Sequence, residues 1–259
     1  MSIEFWLQLK AESEQLMNRE PLLSSYVHTC ILAHHNFETT LSFILSNKLA
    51  DNVMGSLSLR TMFEQSYLLH PEIVEAGICD IQAVFKRDPA VHSFLTVLLN
   101  FKGFQAIRVH RLANQLWMAG RKDLALFIQS RNSEVFSVDI HPAATIGQGV
   151  MFDHATGIVV GETAVIENNV SIMQSVTLGG TGNEAGDRHP KVREGVMIGA
   201  GAKILGHIII GAGAKVGAGS VVLNDVPAHV TVAGIPAKIV GKPTSQKPCE
   251  TMQQNILED

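Results

Sequence analysis

The sequence predicts an α+β protein in which an all-helical domain is followed by a parallel β-helix. Two observations carry this prediction. Of the 15 aromatic residues, 14 lie at or before Phe136, whereas 18 of the 22 glycines lie after Asp139. From Ile140 onward, a large apolar residue also recurs every six positions. We therefore expect a helical domain over 1–138, a β-helix over 139–243 and a flexible tail over 244–259.

The first half of the chain has the apolar spacing of amphipathic helices. Between Ile3 and Met17, apolar residues recur mostly at steps of three and four, and Pro21 then interrupts the pattern. Because the aromatic residues share this spacing, we expect most of them in the core. Glycine and proline separate several of the segments that follow. The predicted helices cover residues 3–17, 22–33, 38–49, 54–69, 72–85, 91–99, 103–118 and 121–129.

The second half is built from a repeat of six residues. Each repeat starts with a large apolar residue and has a small or branched residue at its fifth position. This pattern suits a solenoid with three flat faces, in which the first position points inward and small residues permit tight corners. Thirteen repeats, at three per turn, predict about four turns. The repeats begin at Ile140, Ile146, Phe152, Val160, Ile166, Ile172, Leu178, Val192, Ile198, Ile204, Ile210, Val216 and Val222.

Two interruptions in the phase of the repeat mark insertions, which a solenoid accepts only on its outside. The first interruption adds two residues, which we assign to Ile158 and Val159 as a small bulge. The second runs over residues 179–191 and is long, polar and glycine-rich. We expect it to leave the prism as an extruded loop.

Charge and cysteine content exclude several classes of protein. With a formal net charge of −4, the protein lacks the excess of positive charge that attracts nucleic acid or an anionic membrane. No stretch reaches the roughly 18 uninterrupted apolar residues of a membrane helix, and the N-terminus lacks the pattern of a signal peptide. Cys30, Cys79 and Cys249 are far apart and form no CxxC pair, so we expect a reducing compartment, the cytoplasm.

Charged and imidazole side chains that the repeat does not require collect near the two interruptions. His154 follows the inward Phe152 and Asp153, and stacking of successive turns would bring Asp139 near it. A histidine held by a carboxylate is a general base, which an alcohol needs in order to accept an acyl group. Such side chains are found at Asp139, His141, Asp153, His154, Glu162, Arg188 and His189.

Two other interpretations of His154 remain open on residue type. In the first, it is simply a surface histidine on a loop. In the second, it is one of three histidines that bind zinc, as in other hexapeptide-repeat proteins. The wide spacing of the candidate ligands disfavours a compact site made of histidines alone. These candidates are His141, His154, His189 and His207.

Several motifs resemble those of the bacterial serine O-acetyltransferases, which are hexapeptide-repeat acyltransferases. The segments are DIHPAATIG, MFDHATGIVVGETAVI, SVTLGGTG, GDRHPKVREGVMIGAGAKILG and AGIPAKIVGKP, with CDIQAVFKRDPA and an NKL segment in the helical half. The resemblance covers nearly the whole chain, and DHATGIVVGE together with GGTG and DRHPK is its most specific part. It implies a left-handed β-helix that transfers acetyl from acetyl-CoA to the hydroxyl of L-serine, without a metal.

The resemblance also implies roles for individual residues. His154 corresponds to the general base that takes the serine proton, and Asp139 to its carboxylate partner. The hydroxyl attacks the thioester directly, with no acyl-enzyme. The catalytic pair of the family is therefore expected at two positions that are 15 residues apart in the chain.

The substrate amino acid is expected to be held by four side chains. Asp88 and Asp153 correspond to the carboxylates that bind its ammonium group. Arg188 and His189 correspond to the pair that faces its carboxylate, which a guanidinium binds through two oxygens at once. On residue type alone, Asp88 would instead cap the next helix, because it precedes a proline.

The coenzyme is expected in the groove between neighbouring prisms. Small residues along this groove would let the ligand approach the backbone, and two lysines would face its phosphates. By analogy with the family, the protein is expected to form trimers that pair into hexamers through an aromatic-rich helical face. The residues predicted to contact the coenzyme are Gly179, Gly180, Ala200, Gly201, Lys215 and Lys238.

The resemblance implies an inhibitor and, less directly, a protein partner. L-cysteine is expected to inhibit, because its thiol replaces the serine hydroxyl in the same pocket. In many relatives the flexible tail ends in isoleucine, which inserts into the active site of O-acetylserine sulfhydrylase. Here the sequence ends Ile256-Leu257-Glu258-Asp259, which departs from that pattern and weakens the expectation of this partner.

Overall fold

The N-terminal helices agree closely with the predicted segments. The structure, a computed structural model, describes residues 2–182 and 185–256. A π-helical turn at His28–Leu32 continues from the second helix. The helices are α1 (Ser2–Arg19), α2 (Ser24–Val27), α3 (Phe37–Leu49), α4 (Ser56–Leu69), α5 (Pro71–Arg87), α6 (Phe94–Asn100), α7 (Lys102–Met118) and α8 (Lys122–Phe136).

Two details of the helical prediction are wrong. Asp88 does not cap α6: the N-cap is Ser93, whose Oγ accepts the Thr96 N–H at 3.1 Å. Asp88 instead follows the end of α5 and accepts the Ala90 N–H at 2.8 Å. The last helix of the N-terminal domain, α8, continues seven residues beyond the predicted end. Buried Asn132 hid this extension, because a polar residue interrupts the apolar spacing on which the prediction rests.

The second half folds into a parallel β-helix, as predicted. Up to β13, successive strands pass to three sheets in turn, so that each sheet collects every third strand, and β14 and β15 then extend one of these sheets. The strands are β1 (Val138–Ile140), β2 (Thr145–Ile146), β3 (Met151–Asp153), β4 (Ile158–Val160), β5 (Val165–Ile166), β6 (Ser171–Met173), β7 (Thr177–Gly179), β8 (Lys191–Val192), β9 (Met197–Ile198), β10 (Lys203–Leu205), β11 (Ile209–Ile210), β12 (Lys215–Val216), β13 (Val221–Val222), β14 (Thr231–Gly234) and β15 (Ala237–Gly241).

The three sheets form the faces of a prism. The five-stranded sheet has the order β1-β4-β7-β10-β13, the four-stranded sheet β11-β8-β5-β2, and the six-stranded sheet β15-β14-β12-β9-β6-β3. All neighbours are parallel except β14 and β15. The residue that opens each predicted repeat is buried, from Ile140 at the first turn to Val222 at the last. The inward position of the repeat is therefore confirmed.

The prism has about five turns rather than the four predicted. After Val222 the inward residues are Val226 and Val232, which pair with Ile210 and Val216 of the preceding turn. The step from Val222 to Val226 is four residues instead of six. This change of phase placed the last turn outside the recognised repeat.

The first interruption lies at a corner and not in a bulge at Ile158 and Val159. These two residues are part of β4, and Ile158 is fully buried beside Val138. The extra length is taken up by the turn at residues 154–157, where His154 and Ala155 have φ values of 54° and 61°. Insertion at the corner leaves the inward stack of the prism undisturbed.

We name the corners of the prism by the turns that form them. The first edge joins the six-stranded to the five-stranded sheet and consists of residues 154–157, 174–176, 199–202 and 217–220. The second edge joins the five-stranded to the four-stranded sheet and consists of residues 141–144, 161–164, 180–182 with 185–190, and 206–208. The loop predicted to be extruded therefore belongs to the second edge.

The helical domain covers the open end of the prism through buried polar contacts. Asp80 of α5 is fully buried and forms ion pairs with Arg108 and Arg111 of α7. Its second oxygen accepts the Val150 N–H of the first turn at 2.9 Å. Arg111 also donates to the carbonyl of Ile146 at 2.9 Å. These contacts satisfy backbone groups at the end of the solenoid and fix the helices over it.

Part of the predicted flexible tail is packed in the structure. A short helix, α9 (Pro248–Thr251), lies against α5, and Cys249 is fully buried. The carbonyl of Cys249 accepts the Ser171 hydroxyl at 2.9 Å, and Glu250 pairs with Lys86 at 2.7 Å. Leu257, Glu258 and Asp259, which carry the prediction about the sulfhydrylase, lie outside the described residues.

In the described chain, no helix combines the length and the apolar character needed to cross a membrane. The three cysteines are free thiols, of which Cys30 and Cys249 are buried.

Removal of the Asp80 carboxylate should destabilise the protein strongly. Asp80→Ala leaves two buried guanidinium groups without their carboxylate, which costs about 3–5 kcal/mol of unfolding free energy. We would measure this in urea at one fixed protein concentration for all variants, so that any contribution from association is the same in each. The control is Glu64→Ala, which breaks the surface pair with Arg60 and should cost less than about 1 kcal/mol. Equal losses in both variants would contradict the structural role of Asp80.

Candidate active site

The first edge brings together two carboxylates and an imidazole. Asp153 ends β3, His154 follows it in the turn, and Asp88 at the end of α5 faces them. Burial raises the pKa of the Asp153 carboxyl, the nearby His154 lowers it, and Asp88 raises it again. Two carboxylates that repel each other at a half-buried site favour a cation between them.

His154 projects outward with its backbone in the left-handed region. Its side chain is 73% exposed, and its Nε2 lies 3.9 Å from Oδ1 of Asp153. That distance allows an ion pair but is too long for a hydrogen bond. The φ of 54° is uncommon for a residue other than glycine, and such backbone strain concentrates at functional sites. The open ring is accessible to a ligand at the edge.

Asp139 is close to the His154 turn but contacts a different side chain. It lies in β1, and its Oδ1 accepts a hydrogen bond of 2.7 Å from Nε2 of Gln129 in α8. The turn itself is tied to the residues before Asp139, because the Gly157 N–H donates to Ser137 at 2.8 Å. Within the described residues, the ion pair of His154 is with Asp153 and not with Asp139. Asp139 therefore lies on the strand beside the His154 turn, with its hydrogen bond directed to α8.

The second edge holds another group of polar side chains. Arg188 donates to Glu162 at 2.7 Å and to the carbonyl of Gly186 at 3.1 Å. The hydrogen bond from Arg188 lowers the pKa of Glu162. The backbone N–H groups of Arg188 and His189 both donate to Oγ1 of Thr163, at 3.0 and 3.1 Å. This network fixes the end of the extruded loop against the prism.

His189 is held as a neutral imidazole. Its Nδ1 lies 3.2 Å from the Thr163 N–H, which must donate, so the ring proton is on Nε2. Burial lowers the pKa of His189, and the neighbouring Arg188 lowers it further. The ring packs directly over Gly161, where an added Cβ would overlap it. His189 therefore offers a fixed N–H donor beside the guanidinium of Arg188.

His141 stands next to this group on the second edge. Its ring packs edge-on against Trp117 of α7, with ring centroids 5.0 Å apart. Burial lowers the pKa of His141, and the carboxylates of Glu162 and Asp139 raise it. His154 lies on the other edge, so the four histidines considered for zinc are divided. Among the described residues, no cluster of three or more His, Cys, Asp or Glu side chains is arranged to hold a metal ion.

The residues predicted to contact the coenzyme are distributed over both edges. Ala200 and Gly201 lie in the first edge, two turns beyond His154, and Gly201 faces open space. Gly179 and Gly180 lie at the second edge, where the loop leaves the prism. The six-stranded sheet carries both predicted lysines.

The two lysines differ in exposure. Lys238 in β15 is exposed. Lys215 in β12 is buried, and its Nζ donates to the carbonyl of Asn255 at 2.7 Å. The structure thus differs from the sequence-based expectation at Lys215, because the C-terminal segment covers this lysine.

Several residues of the two edges were not predicted. Thr163 organises the second edge, Gly161 makes room for His189, and Lys102 at the start of α7 donates to Thr156 beside His154. Thr163 and Gly161 occupy ordinary positions of the repeat, so their residue types gave no signal. Lys102 begins a helix, a position at which a lysine is electrostatically disfavoured. This unfavourable placement could have marked Lys102 from the sequence alone as a residue with a role outside its helix.

Comparison with known proteins identifies the family. Residues 5–109 match the family model described as serine acetyltransferase, N-terminal, and residues 189–224 match that of the bacterial transferase hexapeptide, six repeats. The serine acetyltransferase of Escherichia coli (strain K12) is 57% identical over 251 residues, which are 97% of this chain and 92% of that protein. The crystal structure of serine acetyltransferase from Vibrio cholerae is 52% identical, with a TM-score of 0.97 over 98% of this chain and 99% of that one.

Solved relatives contain ligands. A serine acetyltransferase in complex with cysteine is 56% identical, with a TM-score of 0.96, and the match covers 98% of this chain and 99% of that one. Another, in complex with CoA, is 56% identical with a TM-score of 0.90, covering 93% and 100%. Soybean serine acetyltransferase complexed with serine is 54% identical with a TM-score of 0.89, covering 91% and 97%. Similarity of this degree, over both domains, shows that the chain belongs to the serine acetyltransferase family.

Proposed function

We propose that this protein transfers the acetyl group of acetyl-CoA to the hydroxyl of L-serine. The observation that carries the proposal is 57% identity over 97% of the chain with a serine acetyltransferase. The serine oxygen forms the new bond to the acetyl carbon, the bond from that carbon to sulfur breaks, and the products are O-acetyl-L-serine and CoA. This reaction is the first step in the synthesis of cysteine from serine. The three free thiols are compatible with a reducing compartment, which we propose is the cytoplasm.

His154 is the proposed general base. Its imidazole is exposed at the first edge, beside two carboxylates that favour a bound ammonium group. A serine held there presents its hydroxyl to the ring, which accepts the proton as the oxygen attacks and passes it to the departing sulfur. The assignment of Asp139 as partner of His154 rests on the family resemblance. The bond from Gln129 uses only Oδ1 of Asp139, so the carboxylate retains capacity to accept a hydrogen bond from the imidazole.

Asp88 and Asp153 are proposed to bind the substrate ammonium. The raised pKa of Asp153 reflects burial and its neighbour Asp88, and a cation between them would relieve both effects. Arg188 and His189 are proposed to bind the substrate carboxylate, since they offer a guanidinium and a neutral N–H donor side by side. L-cysteine carries the same ammonium and carboxylate groups, so its inhibition is proposed to occur in this pocket.

The division of these groups between two edges supports assembly. The ammonium-binding residues lie on the first edge and the carboxylate-binding residues on the second, with the five-stranded sheet between them. We propose that the first edge of one prism meets the second edge of the next, which closes into a trimer around a three-fold axis. Acetyl-CoA would then lie between Ala200 and Gly201 of one chain and Gly179 and Gly180 of its neighbour, with Lys238 near its phosphates.

Trimers are proposed to pair through the helical domains. The exposed apolar side chains that support this pairing are mostly aliphatic, whereas an aromatic-rich face was expected. Among the described aromatic side chains, Tyr26 and Phe85 are the ones that are largely exposed, at 45% and 39%. Burial of the apolar side chains in a second interface would be favourable. These side chains are Ile3, Leu22, Leu57, Leu68 and Leu69.

An assay of CoA release tests both the proposed reaction and the proposed role of His154 as general base. Purified protein should release CoA from acetyl-CoA with L-serine, and not with homoserine, threonine or a galactoside. His154→Ala should lower kcat by about 10²–10⁴-fold, because general-base catalysis contributes that much. Release with the galactoside alone would reject the proposed substrate, and wild-type turnover in His154→Ala would reject the proposed base.

Division of the site between chains predicts complementation. His154→Ala and Arg188→Ala should each be inactive alone. When both are coexpressed with different tags, about a quarter of the interfaces in random mixtures join two intact edges, so about a quarter of the activity should return. Mixtures of differently tagged His154→Ala chains serve as the control and should stay inactive. Absence of recovery in the mixed assemblies would show that one chain supplies both edges.

Gly161→Ala should impair binding of the serine carboxylate. The added methyl group overlaps the His189 ring and pushes it from its hydrogen bond with Thr163. We expect kcat/KM for serine to fall by about 10-fold or more. Gly182→Ala is the matched control, because a Cβ there meets nothing within 4 Å. Equal kinetics for the two variants would argue against a role for the His189 position.

A further inference from the structure

The first two residues of α7 hold both ends of the turn that carries His154. Gly103 packs its bare Cα against the backbone of Phe152, where an added Cβ would overlap the carbonyl oxygen. Lys102 donates from Nζ to Oγ1 of Thr156. Phe152 lies two residues before His154, and Thr156 lies two residues after it. The start of α7 therefore contacts the chain on both sides of His154.

The turn needs such a support because its backbone is strained. His154 and Ala155 have φ values of 54° and 61°, in a region that side chains other than glycine rarely adopt. Conformations of this kind persist only where the surroundings hold them. Backbone hydrogen bonds hold the turn from two neighbouring segments: the Gly157 N–H donates to Ser137, just before β1, and the Ser175 N–H of the next corner turn donates to Thr156, each at 2.8 Å. Lys102 supplies the contact from the helical domain.

The position of Lys102 in its helix points to a role outside the helix. A positive charge at the first residue opposes the helix dipole, so helix stability does not explain a lysine there. The other helix that begins with lysine is α8, where Lys122 lies 4.8 Å from the ring centre of Trp117. Lys102 instead makes a charge-assisted hydrogen bond, which is stronger than a neutral one.

We propose that Lys102 is a positioning residue for acetyl transfer, which holds Thr156 and thereby the left-handed turn that aims the His154 imidazole. The inference rests on the proposed role of His154 as base. Lys102 acts through the turn and not on the substrate. Its loss should therefore slow the chemical step while leaving the binding of serine and acetyl-CoA nearly unchanged.

A double-mutant cycle on the full-length assembled protein tests this inference. Lys102→Met and Thr156→Val should each lower kcat by about 10-fold, with KM for serine and for acetyl-CoA within about twofold of wild type. The double variant should also lose about 10-fold, because both changes remove the same contact. Lys102→Arg, which keeps the charge and a donor, should recover most of the lost turnover.

The controls separate this inference from the proposed function. Lys122→Met removes the lysine that begins α8, a position equivalent to that of Lys102 in α7, and should leave kcat unchanged. If His154→Ala is inactive but Lys102→Met turns over like wild type, the positioning role is wrong and the base assignment stands. Independent losses that multiply to about 100-fold in the double variant would also overturn the positioning role. Wild-type turnover in His154→Ala would instead overturn the proposed base.

Discussion

The buried carboxylate of Asp80 is the contact on which the arrangement of the two domains depends. It compensates two guanidinium groups of α7 and accepts a backbone N–H from the first turn of the prism. At the first turn of the β-helix each of the three sheets ends in a strand with an unpaired edge, β1, β2 and β3, and the helices cover that end. Because Asp88 directly follows α5, the helix that carries Asp80, the contact that covers the prism also fixes the helix from which Asp88 extends. The position of the proposed ammonium site thus follows from the packing of the domain interface.

The prism separates the proposed binding groups by its shape. Side chains in successive corner turns of the second edge approach one another because the turns stack in register, as Arg188 does with Glu162 and Thr163 of the turn before it. Side chains on different edges remain apart, because a whole sheet lies between them. Neighbouring copies provide the simplest way to bring the two edges together, and the resulting interface would be heterologous and closed. In the proposed trimer, assembly and activity would both follow from this geometry.

Periodic features were predictable, and isolated ones were not. The inward residues from Ile140 to Val222 follow from a repeat that holds its phase, and their burial confirms it. The last turn escaped prediction because a step of four residues separates Val222 from Val226. The end of α8 was missed because a buried polar residue, Asn132, occupies a core position. Asp88 was assigned as a cap on local grounds, whereas Ser93 makes the hydrogen bond that caps α6.

The sequence by itself determined the two-domain α+β architecture, the inward face of each repeat and the family resemblance, because all three depend on the spacing of nearby residues and on short motifs. Only the tertiary structure decided which side chains share an edge. It divided Asp88, Asp153 and His154 from Arg188 and His189, gave Asp139 a bond to Gln129, and buried Lys215 beneath the C-terminal segment. The physical reason is that such contacts join residues distant in the chain, and their geometry depends on the stacking of turns and the docking of helices.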